Sequence, residues 1–190
     1  MTTIGFVRHG ITPWNIEKRA QGSADIPLHE EGIETAKKVA ERLAAEQWDV
    51  IYSSPQLRAR QTAEIILEKL PHAELKFDDR LREKSGGEIE GTTEEERLEK
   101  WGENWRELDL GMETDEQVVE RGISFIDDLR GTGEDHILIV SHGGFIANLV
   151  RALTPDREYT ESLNNTSLTV LKLEEEWNDC VLFNCTKHLM

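Results

Sequence analysis

The chain reads as an α/β protein, a single domain over residues 1–190 folded as a three-layer sandwich with a mainly parallel central sheet and helices on both faces. Three observations predict this. Short apolar runs alternate with amphipathic stretches along the 190 residues, the pattern of strands and helices taking turns. The run His136-Ile137-Leu138-Ile139-Val140 is apolar almost throughout, as a strand covered on both faces must be. Ile4-Gly5-Phe6-Val7 ends at a turn rich in Gly and Pro, which delivers the next side chains to the carboxyl edge of a sheet.

The elements follow in order. After the first strand, Glu30 to Glu46 places Ile33, Ala36, Val39, Ala40, Leu43 and Ala44 at helical spacing. Trp48-Asp49-Val50-Ile51-Tyr52 is a short strand, and Ser53-Ser54-Pro55 supplies a cap and a proline for a helix from Gln56 to Leu70. Leu75-Lys76-Phe77 is a weak edge strand, followed by an irregular stretch from Asp78 to Gly91. Thr93 to Leu108 is expected to be one inserted helix, so residues 92–110 form a helical insertion or lid with Gly102 and Gly111 as hinges. Val118, Val119, Ile123, Ile126 and Leu129 mark a helix that begins near Thr114, with Asp115 and Glu116 favourably placed in its first turn. The buried run 136–140 comes next, then a helix from Phe145 to Leu153. Leu168 to Leu173 and Cys180 to Asn184 close the chain as a hairpin around a Glu/Asn-rich turn.

A chain of this length buries enough surface to need no metal or disulfide staple. Hydrophobic residues at 37%, charged residues at 32% and a mean hydropathy of -0.54 describe a well-hydrated globular domain. The net charge of -16 repels nucleic acid and anionic membranes, so neither is an expected partner. Any phosphate site must therefore be a local cationic cluster working against the global field. Met1-Thr2-Thr3 runs straight into a strand without the features of a signal peptide, and the expected location is cytoplasmic. Cys180 and Cys185 form neither a disulfide framework nor a zinc knuckle, and packed reduced thiols are expected. Composition leaves the oligomeric state open.

The chemistry-bearing residues collect at predicted strand ends. Arg8-His9-Gly10 follows the first strand and sets an imidazole beside a guanidinium, whose planar fork of donors matches phosphate oxygens. The second strand leads to Arg58 in the first turn of its helix, at the same edge. The buried strand leads to Ser141-His142-Gly143-Gly144, so a second histidine arrives there in the same context, after a strand and before a glycine. A zinc site built from His9, His142 and Glu83 lacks a tight ligand spacing. The glycines at 86–91 lack the P-loop lysine, Gly131-Thr132-Gly133 lacks a third dinucleotide glycine, and Ser141 has no nucleophile elbow around it.

Taken together these motifs resemble the histidine phosphatase superfamily, the phosphoglycerate-mutase-like group, nearly end to end. Arg8 to Asn15 resembles the signature around the phosphorylated histidine, and Gln21-Gly22 with Asp25 and Pro27-Leu28 resembles the substrate-side loop. Ser53 to Ala63 is similar to the second arginine motif, Leu81-Arg82-Glu83 with Gly87 and Glu90-Gly91 to the segment bearing the acid/base glutamate, and Ser141 to Gly144 to the second histidine motif. The resemblance implies the phosphoglycerate-mutase-like fold. It also implies His9 as nucleophile, Arg8, Arg58, Asn15 and His142 as phosphate ligands, Glu83 as proton donor and base, Gln21, Gly22 and Gly143 as further substrate contacts, and no metal or cofactor. Departures are Ile89 in place of the usual tryptophan, Gly86 in place of a bulky residue, His29 in place of a capping threonine or serine, and Met112-Glu113-Thr114 in place of Gly-Glu-Ser.

The implied activity is hydrolysis of a small phosphorylated metabolite through a phosphohistidine. A phosphoglycerate mutase is the runner-up and a non-catalytic binder of phosphorylated ligands the third reading. The insertion favours the phosphatase, because seven acidic side chains from Glu94 to Asp109 outnumber Arg97, Lys100 and Arg106 and would repel a second anionic group. Trp101 and Trp105 either line the substrate mouth or pack onto the domain, packing being preferred.

Overall fold

In the computed structural model, which describes residues 1–174 and 177–190, the strands are β1 (Thr2–Arg8), β2 (Val50–Ser53), β3 (Glu74–Phe77), β4 (His136–Ser141), β5 (Leu168–Leu173) and β6 (Asn178–Cys185). The helices are α1 (Pro13–Ile16), α2 (Glu30–Leu43), α3 (Leu57–Leu67), α4 (Glu94–Trp101), α5 (Asp115–Leu129) and α6 (Gly143–Leu153). They form one sheet in the order β3-β2-β4-β1-β5-β6, with β1 to β4 parallel and the β5–β6 hairpin antiparallel. The predicted mainly parallel sandwich is what the chain adopts, with β3 at an edge as expected. Residues 175 and 176, between β5 and β6, are not among the described residues, so the predicted Glu/Asn-rich turn of the hairpin lies in part outside them.

Period-two alternation sorts the central strands between the two faces. Ile137 and Ile139 of β4 pack with Phe125, Ile126 and Leu129 of α5 and with Phe145, Ile146 and Leu149 of α6. Leu138 and Val140 face Val39, Ala40 and Leu43 of α2 and Ala59, Ala63 and Ile66 of α3. All four of these β4 residues are fully buried, which explains the unbroken apolar run. Both cysteines are buried and unpaired, as expected.

Two local expectations are corrected. The insertion is not one helix: Thr93 and Glu96 cap the start of α4 reciprocally, but Gly102 at φ +81 ends it, and only a single further turn forms at Trp105–Glu107. Likewise, neither Ser53 nor Ser54 caps α3, whose N-cap is Gln56 without a side-chain bond. The Ser54 hydroxyl is engaged elsewhere, with His142. His29, by contrast, does cap α2, its Nδ1 accepting from the Glu31 N–H at 3.2 Å.

Register brings the carboxyl ends of three strands side by side. Arg8 pairs with Ser141 and Ser53 with Val140, so His9 and His142 leave the sheet at one level and Ser54 one residue below them. The loop after β1 is pressed onto α2, where a Cβ on Gly32 would strike the Ile11 carbonyl oxygen, a backbone atom that cannot swing aside. Alanine is the better helix former by about 1 kcal/mol, yet we expect Gly32→Ala to destabilise the protein by ~1–3 kcal/mol because overpacking outweighs propensity. Urea unfolding checks the sign, and a gain in stability would show that the loop yields freely.

Candidate active site

His9 lies at the end of β1, 2% exposed, with its ring centroid 5.2 Å from that of the fully buried His142. Its Nδ1 is 2.7 Å from the Gly10 carbonyl oxygen. A carbonyl only accepts, so Nδ1 carries the hydrogen and Nε2 keeps its lone pair. Burial, and then the Arg8 and Arg58 charges, hold the His9 pKa well below its ordinary 6.5. The two arginines were legible in the sequence; that burial is the larger cause was not. The ring is therefore a neutral base at neutral pH, the form that can attack phosphorus.

His142 is depressed in the same way, first by burial and then by Arg58, His9 and Arg8. Its Nε2 sits 2.8 Å from the Ser54 Oγ. Arg58, also fully buried, donates to the carbonyls of Ala24 at 2.7 Å and Gly22 at 2.8 Å, and burial pulls its pKa down to about 10. Arg8 donates to the Leu163 carbonyl. Each arginine is thus fixed by its Nη atoms while Nε has no protein partner; the same is true of His142 Nδ1. Three buried nitrogens are thus without a protein partner, on the two arginines whose charges act on His9 and on the histidine that faces it, and a tetrahedral oxyanion offers several acceptors to such groups.

The other predicted residues assemble around this nest. The Asn15 Oδ1 accepts from the backbone N–H and hydroxyl of Thr12 and from the Asn165 side chain, which orients the amide. Gln21 Oε1 accepts from the Thr12 hydroxyl at 2.8 Å, so Thr12 links the two amides. Gly22 presents its carbonyl to Arg58 with φ at +48, and a Cβ there would strike the Glu90 carboxylate and the Gly86 N–H. Gly143 opens α6 so close to Arg8 that a Cβ would lie 3.1 Å from its Nε. The Glu83 carboxylate accepts backbone N–H bonds from Lys84, Gly144 and Phe145, two of them in the first turn of α6, where the helix dipole favours an anion.

Four supporting residues went unassigned by sequence. Ser54 meets His142, Gln56 accepts from the Glu83 N–H while donating to the Gly22 carbonyl, Thr62 joins the Gly10 N–H to the Arg58 carbonyl, and Asn165 donates to the His9 carbonyl. The first three lie within the quoted segment 53–63, so their positions were legible though not their partners. Asn165 precedes β5, and only the antiparallel pairing of β5 with β1 carries it to this edge. Trp105 is buried within the insertion, with the guanidiniums of Arg97 and Arg106 over its ring, and Trp101 is half-buried with the Lys100 ammonium over its ring, so these contacts lie inside the insertion itself.

The two depressed histidines give a signed pH dependence. Below pH 6.5 the unfolded chain takes up protons that the folded chain refuses, so stability is complete above 6.5 and falls as pH drops toward the folded values. The expected slope is ~1.4 kcal/mol per pH unit for each histidine. Carboxylates with lowered pKa, such as Asp78 and Glu113, act in a separate and more acidic window. Urea midpoints measured between pH 7.5 and 5.5 test this, and a flat profile would contradict neutral burial.

Comparison with known proteins places the site in context. The profile of the histidine phosphatase superfamily (branch 1) matches residues 4–186. A Bacillus subtilis (strain 168) protein called uncharacterized phosphatase PhoE is 33% identical over 195 residues, covering 100% of this chain and 97% of its own. An Arabidopsis thaliana metal-independent phosphoserine phosphatase is 30% identical, covering 93% of this chain and 79% of its own. The structure of a mycobacterial glucosyl-3-phosphoglycerate phosphatase with VO3 superimposes with a TM-score of 0.87 at 27% identity, over 98% of this chain and 100% of that one. No helix among the described residues is long and apolar enough to cross a membrane.

Proposed function

The chain belongs to the histidine phosphatase superfamily, and on that premise we propose that it is a phosphatase that hydrolyses a small phosphorylated metabolite through a phosphohistidine on His9. The observation that carries this reading is the set of unpartnered buried nitrogens on Arg8, Arg58 and His142, set around an imidazole whose Nε2 lone pair is free. Together with Asn15 they would hold the phosphoryl oxygens while Nε2 attacks in line and the P–O bond to the alcohol breaks. Glu83 would give the departing oxygen its proton. As carboxylate it would then take a proton from the water that attacks the phosphohistidine, so phosphate leaves and His9 returns to its starting form. No step draws on a metal, and two guanidiniums neutralise the phosphate.

Hydrolysis is favoured over mutase chemistry by the state of the insertion. Arg97 and Arg106 are both bound to Glu94, so neither is free for a second anionic group on a returning product. Arg19 ties the insertion to the segment just before Gln21 by pairing with Glu96 at 2.8 Å, and we take residues 92–110 as a lid. The test is a panel of phosphomonoesters. We expect stoichiometric release of inorganic phosphate, undiminished by chelator, with no interconversion of 2- and 3-phosphoglycerate. Efficient interconversion would make the chain a mutase, and ligand binding without turnover would make it a binding protein.

A further inference from the structure

Where a neutral imidazole carries its one hydrogen decides what the ring can do. His142 is fully buried, and its pKa is held well below the ordinary value, first by burial and then by the charges of Arg58, His9 and Arg8. The ring is therefore neutral at neutral pH and offers one donor and one acceptor. On His9 the Gly10 carbonyl makes the choice, because a carbonyl only accepts. On His142 the partner is the Ser54 hydroxyl, 2.8 Å from Nε2, and a hydroxyl can give or take.

The surroundings of Ser54 remove that freedom. Gln56, two residues on, donates its backbone N–H to the Ser54 Oγ at 3.3 Å, so one lone pair of the hydroxyl is already engaged. Ser54 is fully buried, and among the described residues His142 Nε2 is the one other group its hydroxyl meets. Suppose that Nε2 carried the hydrogen. The Ser54 Oγ would then accept from two N–H groups while its own hydrogen had no acceptor, and the buried Nδ1 would keep a lone pair with no donor on it. With the hydrogen on Nδ1, Ser54 donates to Nε2 and a single group is left unpaired, the Nδ1–H itself. An unmade bond in a buried site is costly, so one is favoured over two. The ring that holds this donor faces His9, with the centroids 5.2 Å apart, and its neighbour Gly143 lies against Arg8. A phosphoryl oxygen bound there is an acceptor for it. In the opposite tautomer the same nitrogen would meet that oxygen lone pair to lone pair.

We propose that Ser54 is a positioning residue: with Gln56 N–H on its oxygen, its hydroxyl keeps the hydrogen of His142 on Nδ1, so that this imidazole meets the phosphoryl group as a donor. The use of that donor rests on the phosphatase reading, whereas the place of the hydrogen does not. The nitrogen-15 spectrum of the labelled protein at neutral pH tests it, since protonated and bare ring nitrogens resonate far apart. Of the six histidines, His142 is identified by the signals lost in His142→Gln. The parent should show Nδ1 protonated and Nε2 bare. Ser54→Ala removes the partner of Nε2, so its ring should divide between the two tautomers, and kcat/KM for p-nitrophenyl phosphate should fall about 3- to 10-fold, the scale of one neutral hydrogen bond. A parent ring protonated on Nε2 would overturn the proposal whether or not Ser54→Ala folds. A Ser54→Ala spectrum identical to that of the parent, or undiminished kcat/KM in a variant whose ring has divided, would overturn it too. A parent that hydrolyses no ester would remove the phosphatase reading, and the spectrum would still decide where the hydrogen lies.

Discussion

Substituting alanine for His9 lowers kcat for phosphate release by about 10⁴-fold or more, the scale seen when a covalent nucleophile is removed from an assembled site. The expectation follows from the tautomer. With Nδ1 held on the Gly10 carbonyl, Nε2 is the atom left to attack, and no second nucleophile stands in reserve, since the facing His142 spends its Nε2 on Ser54. The arginine nest does not depend on the His9 ring for its hydrogen bonds, so the variant should still fold cooperatively and still bind inorganic phosphate. A modest loss in kcat would mean that water attacks the ester directly and that His9 only positions it. The same geometry predicts that the acid limb of the kcat/KM profile is not set by His9, whose neutral form persists well below its ordinary pKa.

Glu83→Gln is the second large effect, and it depends on the substrate. General acid catalysis is worth ~10²–10⁴ in rate, so alkyl phosphates, which release a strongly basic alkoxide, should lose that much in kcat. A nitrophenolate leaves without a proton, so formation of the phosphoenzyme from p-nitrophenyl phosphate should be nearly spared. Hydrolysis of the phosphoenzyme still needs the base and should slow. The variant should therefore release a burst of one equivalent of nitrophenol and then turn over slowly, visible by stopped flow. An equal loss for both esters with no burst would indicate that the substituted amide has merely disturbed the anchorage of this side chain. That anchorage is real: two first-turn amides of α6 and the Lys84 N–H bind the Glu83 carboxylate, and an amide nitrogen in its place must face at least one of them, at ~1 kcal/mol or more.

Much of this site was legible because its chemistry sits at strand ends, where pattern is strongest. The buried run before Ser141 and the apolar run before Arg8 read as strands of a mainly parallel sheet, and parallel strands share a carboxyl edge. His9, Arg8, Arg58 and His142 follow from that edge without side-chain geometry, and the resemblance added Glu83, which nothing in so acidic a sequence singles out. What periodicity could not supply was the scaffold. Ser54 reads as a helix cap by residue type, yet its hydroxyl meets the buried His142 imidazole and reaches no N–H inside α3, only that of Gln56, the N-cap itself. Thr62 looks like an ordinary helical threonine until the Gly10 N–H is found on it. Asn165 acts through a loop whose position depends on strand order, which single-strand patterns do not encode. The insertion was misread as one helix because charge and apolar spacing continue past Gly102, while the left-handed turn that ends α4 depends on that one glycine.

Central to the account is a covalent bond between phosphorus and the Nε2 atom of His9. Rapid-quench mixing with a phosphorus-labelled substrate, followed by base-stable peptide mapping, tests it directly. A label that appears within one turnover, is lost in acid, survives base, maps to the peptide containing His9 and is absent from His9→Ala is the predicted result. Turnover at full rate with no trapped label, or a label on another residue, would contradict it.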